Sequence, residues 1–187
     1  MRLFAFFAFL VLLGVAAAAV TLPGSSGPSY SAVYMIGGPG PAEGGRVYHD
    51  DGKERLELFS LRGLRIYIRR PDLGQVFIIN PHNRTGKALP IDHPRADFGF
   101  WRLRDLPAEA QEQETMDGET VTKYVAIDRY NKPQGYWLTG DGIPLQVVRT
   151  AGIETVTIRL IDLQRGSQPA HLFEVPDDIE MTVNPEG

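Results

Sequence analysis

The chain has 187 residues, 43% of them hydrophobic, with 19 basic and 23 acidic side chains, a formal net charge of −4 and no cysteine. The basic residues are interspersed and no run exceeds Arg69-Arg70, so there is no concentrated cationic face to neutralise phosphates, which argues against a nucleic-acid partner. The missing cysteines exclude disulfides, disulfide-linked partners, thiolate chemistry, Cys-based zinc sites and lipid attachment to an N-terminal cysteine.

Residues 1–19 join Arg2, an apolar stretch from Leu3 to Val15 and the small-residue tail Ala16-Ala17-Ala18-Ala19. Those are the three parts of a cleavable signal peptide, and they predict cleavage after Ala18 or Ala19 and release of a soluble chain into the periplasm. The alternative is a retained anchor, since Leu3 to Val20 just reaches spanning length; the alanines suit a peptidase better than a bilayer core. Residues 20–29, containing TLPGSSGPS, read as a flexible tether, because Pro, Gly and Ser bury little apolar surface. Residues 30–187 are expected to form a single domain.

From Tyr30 onward, strand signals recur about every ten residues between Gly, Pro, Asn and Asp clusters, the spacing of an antiparallel all-β domain. The pattern predicts strands at Tyr30–Ile36, Arg46–His49, Glu54–Ser60, Leu64–Arg69, Gln75–Asn80 and Thr85–Leu89. Further strands are predicted at Glu119–Tyr130, Gly135–Thr139, Pro144–Thr150, Glu154–Leu163 and Glu180–Val183. In Ile153–Leu163, Val156, Ile158 and Leu160 alternate with Thr155, Thr157 and Arg159, which predicts one buried and one wet face. Val76-Phe77-Ile78-Ile79 is apolar at every position, so both of its faces should be covered. The candidate cover is a helix over Asp105–Gln113, with Pro107 in its first turn and a run of Ala, Glu and Gln behind it.

No pattern carries catalytic or metal chemistry. His49, His82, His93 and His171 lack helical or metal-ligand spacing and read as surface or turn residues. Asp50-Asp51-Gly52 beside His49 reads as a hairpin turn rather than a cation site. In Gly37–Gly45, prolines remove the amide donors a phosphate cradle needs, and no P-loop lysine follows. Gly24-Ser25-Ser26-Gly27 lies in the tether and is no nucleophile elbow. The carboxylates between Glu109 and Glu119 look solvated, without the burial that raises a general acid's pKa. No enzyme activity and no cofactor are therefore expected. The aromatic residues are mostly core, but Phe98-Gly99-Phe100-Trp101 lies outside any strong strand, where large side chains could line a cavity. With Phe77, Ile79 and Trp137 these form the candidate ligand-lining set Phe77, Ile79, Phe98, Phe100, Trp101 and Trp137.

Taken in order, YSAVYM at 30–35, GRVY at 45–48, GKERLE at 52–57, IYIRRPD at 66–72 and QVFIINP at 75–81 make a recurring pattern, continued by GETV at 118–121, GYWLT at 135–139, DGIPL at 141–145 and LFEVP at 172–176. Over about Tyr30 to Val183 the chain resembles LolA-like and RseB-like periplasmic proteins, related to outer-membrane lipoprotein-sorting carriers. The resemblance implies a mainly β fold: a strongly curved antiparallel sheet, an incomplete barrel, with one or a few short helices over the concave face. It departs from the carriers in having one thin helical segment where they have several. It further implies a non-catalytic binding protein holding a lipid, an acylated peptide, a lipoprotein acyl chain or another apolar ligand in the hollow. The alternative is an interaction or envelope-sensing module with a filled core, whose partner is an envelope protein met at a sheet edge or loop.

Overall fold

The structure, a computed structural model, describes residues 20–21, 27–39, 43–93, 96, 107–127, 131–151 and 154–183. Thirteen strands follow one another: β1 Val20–Thr21, β2 Tyr30–Gly37, β3 Glu43–Asp50, β4 Lys53–Ser60, β5 Gly63–Arg70, β6 Gln75–Asn80, β7 Thr85–Pro90, β8 Pro107–Met116, β9 Glu119–Ile127, β10 Pro133–Thr139, β11 Pro144–Ala151, β12 Glu154–Arg165 and β13 Glu180–Val183. They form one sheet in the order β1-β8-β9-β10-β11-β12-β2-β3-β4-β5-β6-β7-β13. Each neighbouring pair is antiparallel except β13 on β7, which is parallel. The sheet is a curved, incomplete barrel, and the strands predicted from alternation are all present.

Register explains the curvature. Tyr30, Ala32 and Tyr34 of β2 lie opposite His49, Val47 and Gly45 of β3, and these lie opposite Glu54, Leu56 and Leu58 of β4. Leu56 lies opposite Tyr67, and Tyr67 opposite Ile78. On the other side Ile36 pairs with Ile158, Ile158 with Val147, and Val147 with Tyr136. This single face carries the main core, in which Tyr30, Tyr34, Val47, Val121, Tyr136, Ile143, Val147 and Leu160 are at most 1% exposed. Among the described residues no second layer of helix or sheet lies over this face. Each large apolar side chain so buried contributes about 1.5–3 kcal/mol.

β12 follows its predicted faces: Ile158 and Leu160 are buried, Val156 is half-buried and Arg159 is exposed. In β6, Val76 and Ile78 pack inward with Leu89 and Ala96, while Phe77 and Ile79 pack on the outer face with Ile66, Ile68 and Phe173. Both faces are covered as expected, but the helix proposed to cover them is absent. Residues 107–113 of the expected helix lie in β8, with Ala108 opposite Ala126 and Ala110 opposite Tyr124 on β9, followed by a bulge before Gln113. Pairing with β9 and burial of Ala108 outweigh the helix propensity of the Ala, Glu and Gln run. The outer cover is instead the carboxy-terminal segment around the 3-10 turn Ala170–Phe173. Leu172, Phe173, Val175 and Ile179 pack on the outer face of β5 and β6. Arg55 and Arg70 of β4 and β5 hold it by donating to the carbonyls of Leu172 and Phe173, each at 3.1 Å.

The segment 20–29 is tied at both ends. Val20 and Thr21 pair with Ala108 and Pro107. Ser29 donates to the Asp50 carboxylate, whose other oxygen accepts from the Gln168 amide at 3.1 Å.

Candidate functional site

On the inner face a row of polar side chains runs near the β3–β4 turn, and Gln134 of β10 is buried farther along it, opposite Ala126. Asp50-Asp51-Gly52-Lys53 makes the turn, with Asp51 and Gly52 in the left-handed region and Asp50 opposite Lys53. A two-residue turn of this kind sets His49 opposite Glu54. Tyr30 lies opposite His49 and Arg69 opposite Glu54, so four polar or ionisable groups run across adjacent strands. Tyr30 and His49 are fully buried and Glu54 is 2% exposed. The Tyr30 and His49 rings stack with centroids 5.5 Å apart. His49 Nδ1 lies 3.0 Å from the Pro28 carbonyl; a carbonyl only accepts, so Nδ1 carries the proton there. Arg69 Nη1 donates to the Gly52 carbonyl at 3.2 Å. Glu54 thus faces an imidazole on one side and a guanidinium on the other, the neighbours that make a buried carboxylate tolerable. The row is thus closed off from solvent at one end of the sheet.

Deeper along the same face, the Tyr34 ring lies over Gly45 and its hydroxyl donates to the Glu57 carbonyl at 3.2 Å. Burial first, then the neighbouring Tyr67 and nearby carboxylates, push the Tyr34 hydroxyl well above its ordinary range. Burial likewise raises Tyr67, with Arg65 opposing it. Both phenols therefore stay neutral. At the mouth formed by the β8–β9 and β10–β11 turns, Arg165 meets Asp141 at 2.8 Å and Glu119 at 2.8 Å. This ties β12 to the ends of β9 and β10.

Of the six expected ligand-lining residues, three lie among the described ones. Phe77 and Ile79 lie on the outer face, beneath the carboxy-terminal turn. Trp137 points away from the buried Tyr136; its ring lies over Gly135, with the Lys123 ammonium 5.4 Å from the ring centroid. Phe98, Phe100 and Trp101 lie outside the described residues, as do residues 1–19.

The histidine expectation holds for His82, His93 and His171, which sit in turns. It fails for His49, whose place opposite Glu54 turns it into the core. The pairing was implicit in the symmetry of His49 and Glu54 about the turn. The inward direction was not, because charged residues rarely occupy a core face. Among the described residues no group of three or more His, Asp or Glu side chains is placed to hold a metal ion.

This architecture has solved counterparts. An uncharacterized conserved protein from Thermus thermophilus superposes with a TM-score of 0.64 at 13% identity, over 86% of this chain and 93% of that one. MucB from Pseudomonas aeruginosa, an RseB-like protein solved in complex with MucA, superposes with a TM-score of 0.53 at 13% identity, over 84% of this chain and 59% of that one. The fold is LolA/RseB-like. The chain spans about three fifths of the MucB chain it matches. No protein-family model matches the sequence, and no curated protein does.

Proposed function

We propose that the chain is a non-catalytic, exported module of the bacterial envelope that acts through its outer surfaces on an envelope partner, and does not carry an apolar molecule inside the sheet. The observation that supports this reading is the state of the inner face. Tyr30, Tyr34, Tyr136, Ile143 and Leu160 are at most 1% exposed, so the chain's own side chains occupy the hollow that a carrier would keep for an acyl chain. Side chains packed at interior density would have to be displaced to admit a ligand. The placement of Phe77, Ile79 and Trp137 on the other face agrees with this. MucB, which shares the fold, is solved with a protein partner, MucA.

The export expectation from residues 1–19 belongs to the same proposal, and no helix among the described residues is long and apolar enough to cross a membrane. Beyond its short pairing with β1, β8 is an unattractive site for strand addition: it bulges between Ala110 and Gln113 and carries Glu109, Glu112 and Glu114, devices that discourage pairing with a foreign strand.

Mass spectrometry of organic extracts of the purified protein tests the proposal. Lipid-free extracts are expected; a lipid at one equivalent per chain would replace this reading with the carrier.

A further inference from the structure

The β4–β5 hairpin carries apolar side chains that its turn does not need. Ser60 pairs with Gly63, so Leu61-Arg62 forms a two-residue tip, a place usually filled by Gly, Asn or Asp. Leu61 is 87% exposed, the most open of the large apolar side chains described. Behind it on the outer face, Phe59 lies opposite Gly44, and Gly44 lies opposite Met35. Phe59 is 51% and Met35 46% exposed. Gly44 has no side chain to separate them, and a Cβ there would meet Met35 Sδ at 3.2 Å. Leu61, Phe59 and Met35 thus form an apolar ridge leading to the tip.

Its rim is cationic. Arg62 at the tip and Arg46 on the outer face of β3 are both exposed, and among the described residues neither forms an ion pair; Arg65, opposite Leu58, lies on the inner face. The carboxylates at this end of β3 and β4 are Glu57, already held by Arg55 at 2.8 Å, and Glu43.

We propose that this hairpin tip docks the module on an anionic membrane surface, with Leu61 entering the headgroup region and Arg62 and Arg46 meeting lipid phosphates. A single protruding leucine suits a soft interface, which closes around it. A protein partner would need a pocket shaped for it. Arginines flanking an apolar tip supply the attraction to anionic lipid that one leucine alone would not. The inference does not depend on how the inner face is used.

Co-sedimentation of the full mature protein with vesicles of phosphatidylethanolamine and phosphatidylglycerol tests it, with phosphatidylcholine vesicles as the comparison. Binding to the anionic vesicles is expected to weaken with added salt and to fall about five-fold for each arginine replaced in Arg62→Gln and Arg46→Gln. Leu61→Asp should abolish it. Thermal unfolding of the same variants should match the parent, since all three side chains lie in solvent. Binding that is equal on both vesicle types, or unchanged by Leu61→Asp, would overturn the proposal. Absence of vesicle binding together with Leu61-dependent self-association would also overturn it, and would assign the tip to protein contact.

Discussion

Tyr34 and Gly45 face each other across β2 and β3, and the phenol crosses over the glycine to donate to the Glu57 carbonyl at 3.2 Å. A Cβ at Gly45 would lie 1.6 Å from that same carbonyl oxygen, a backbone atom that cannot step aside. The glycine is therefore required by the close approach of β3, β4 and the aromatic ring. Gly45→Ala should lower the urea-unfolding free energy by about 3 kcal/mol or more, or prevent folding. Gly140→Ala, where a Cβ meets nothing within 4 Å, should cost about 0.5 kcal/mol or less. Equal losses in the two variants would show that the register at Gly45 is wrong.

Alkaline pH should expose the same pair. Tyr34 holds its proton more tightly folded than unfolded, chiefly through burial, and Tyr67 is shifted in the same direction. Such groups contribute their full stability below their ordinary value of about 10 and lose it as pH rises beyond. Melting temperature should fall from about pH 10 upward, and Tyr34→Phe should flatten that fall. An alkaline limb unchanged by the substitution would remove Tyr34 as its source.

At the opposite extreme, Asp141 is held below the ordinary carboxylate range, first by its hydrogen bond to Arg165 and then by Thr139. Its contribution is present above about pH 4 and is lost as pH falls. The pair is partly exposed, with side-chain exposures of 40% for Arg165 and 39% for Asp141, so Arg165→Ala should cost only about 1 kcal/mol at neutral pH. The difference between parent and variant should shrink on acidification. A difference that grows toward low pH would contradict the assignment.

On β12, Ile158 is 7% exposed and lies opposite Val147 and Ile36, whereas Thr157 faces the other way. Ile158→Asp should cost several kcal/mol by burying an unpaired charge, and Thr157→Asp about 1 kcal/mol or less. Chemical denaturation reads both. The reverse order would mean that the strand is shifted by one residue.

Most of the sheet was legible because period-two alternation is a local signal: Val156, Ile158 and Leu160 could be assigned to the core from β12 alone. Four things were not local. Residues 107–113 have helix-forming composition, and only the ladder to β9 makes them a strand. The cover over Phe77 and Ile79 comes from Phe173, far along the chain, held by arginines whose partners are backbone carbonyls and leave no sequence pattern. Trp137 follows the buried Tyr136 directly and must face the other way, but neither residue alone says which one is inside. The tip at Leu61 was readable as a turn and not as a surface, since exposure depends on what fails to pack against it.

Titration with a fluorescent fatty-acyl probe tests the filled inner face most directly. The mature protein, free of detergent and delipidated, should show no saturable uptake at any concentration at which it remains monomeric. Saturable binding of micromolar affinity, about −8 kcal/mol, would contradict the account, because it would require Tyr30, Tyr34, Tyr136 and Leu160 to leave their packed positions and admit an acyl chain.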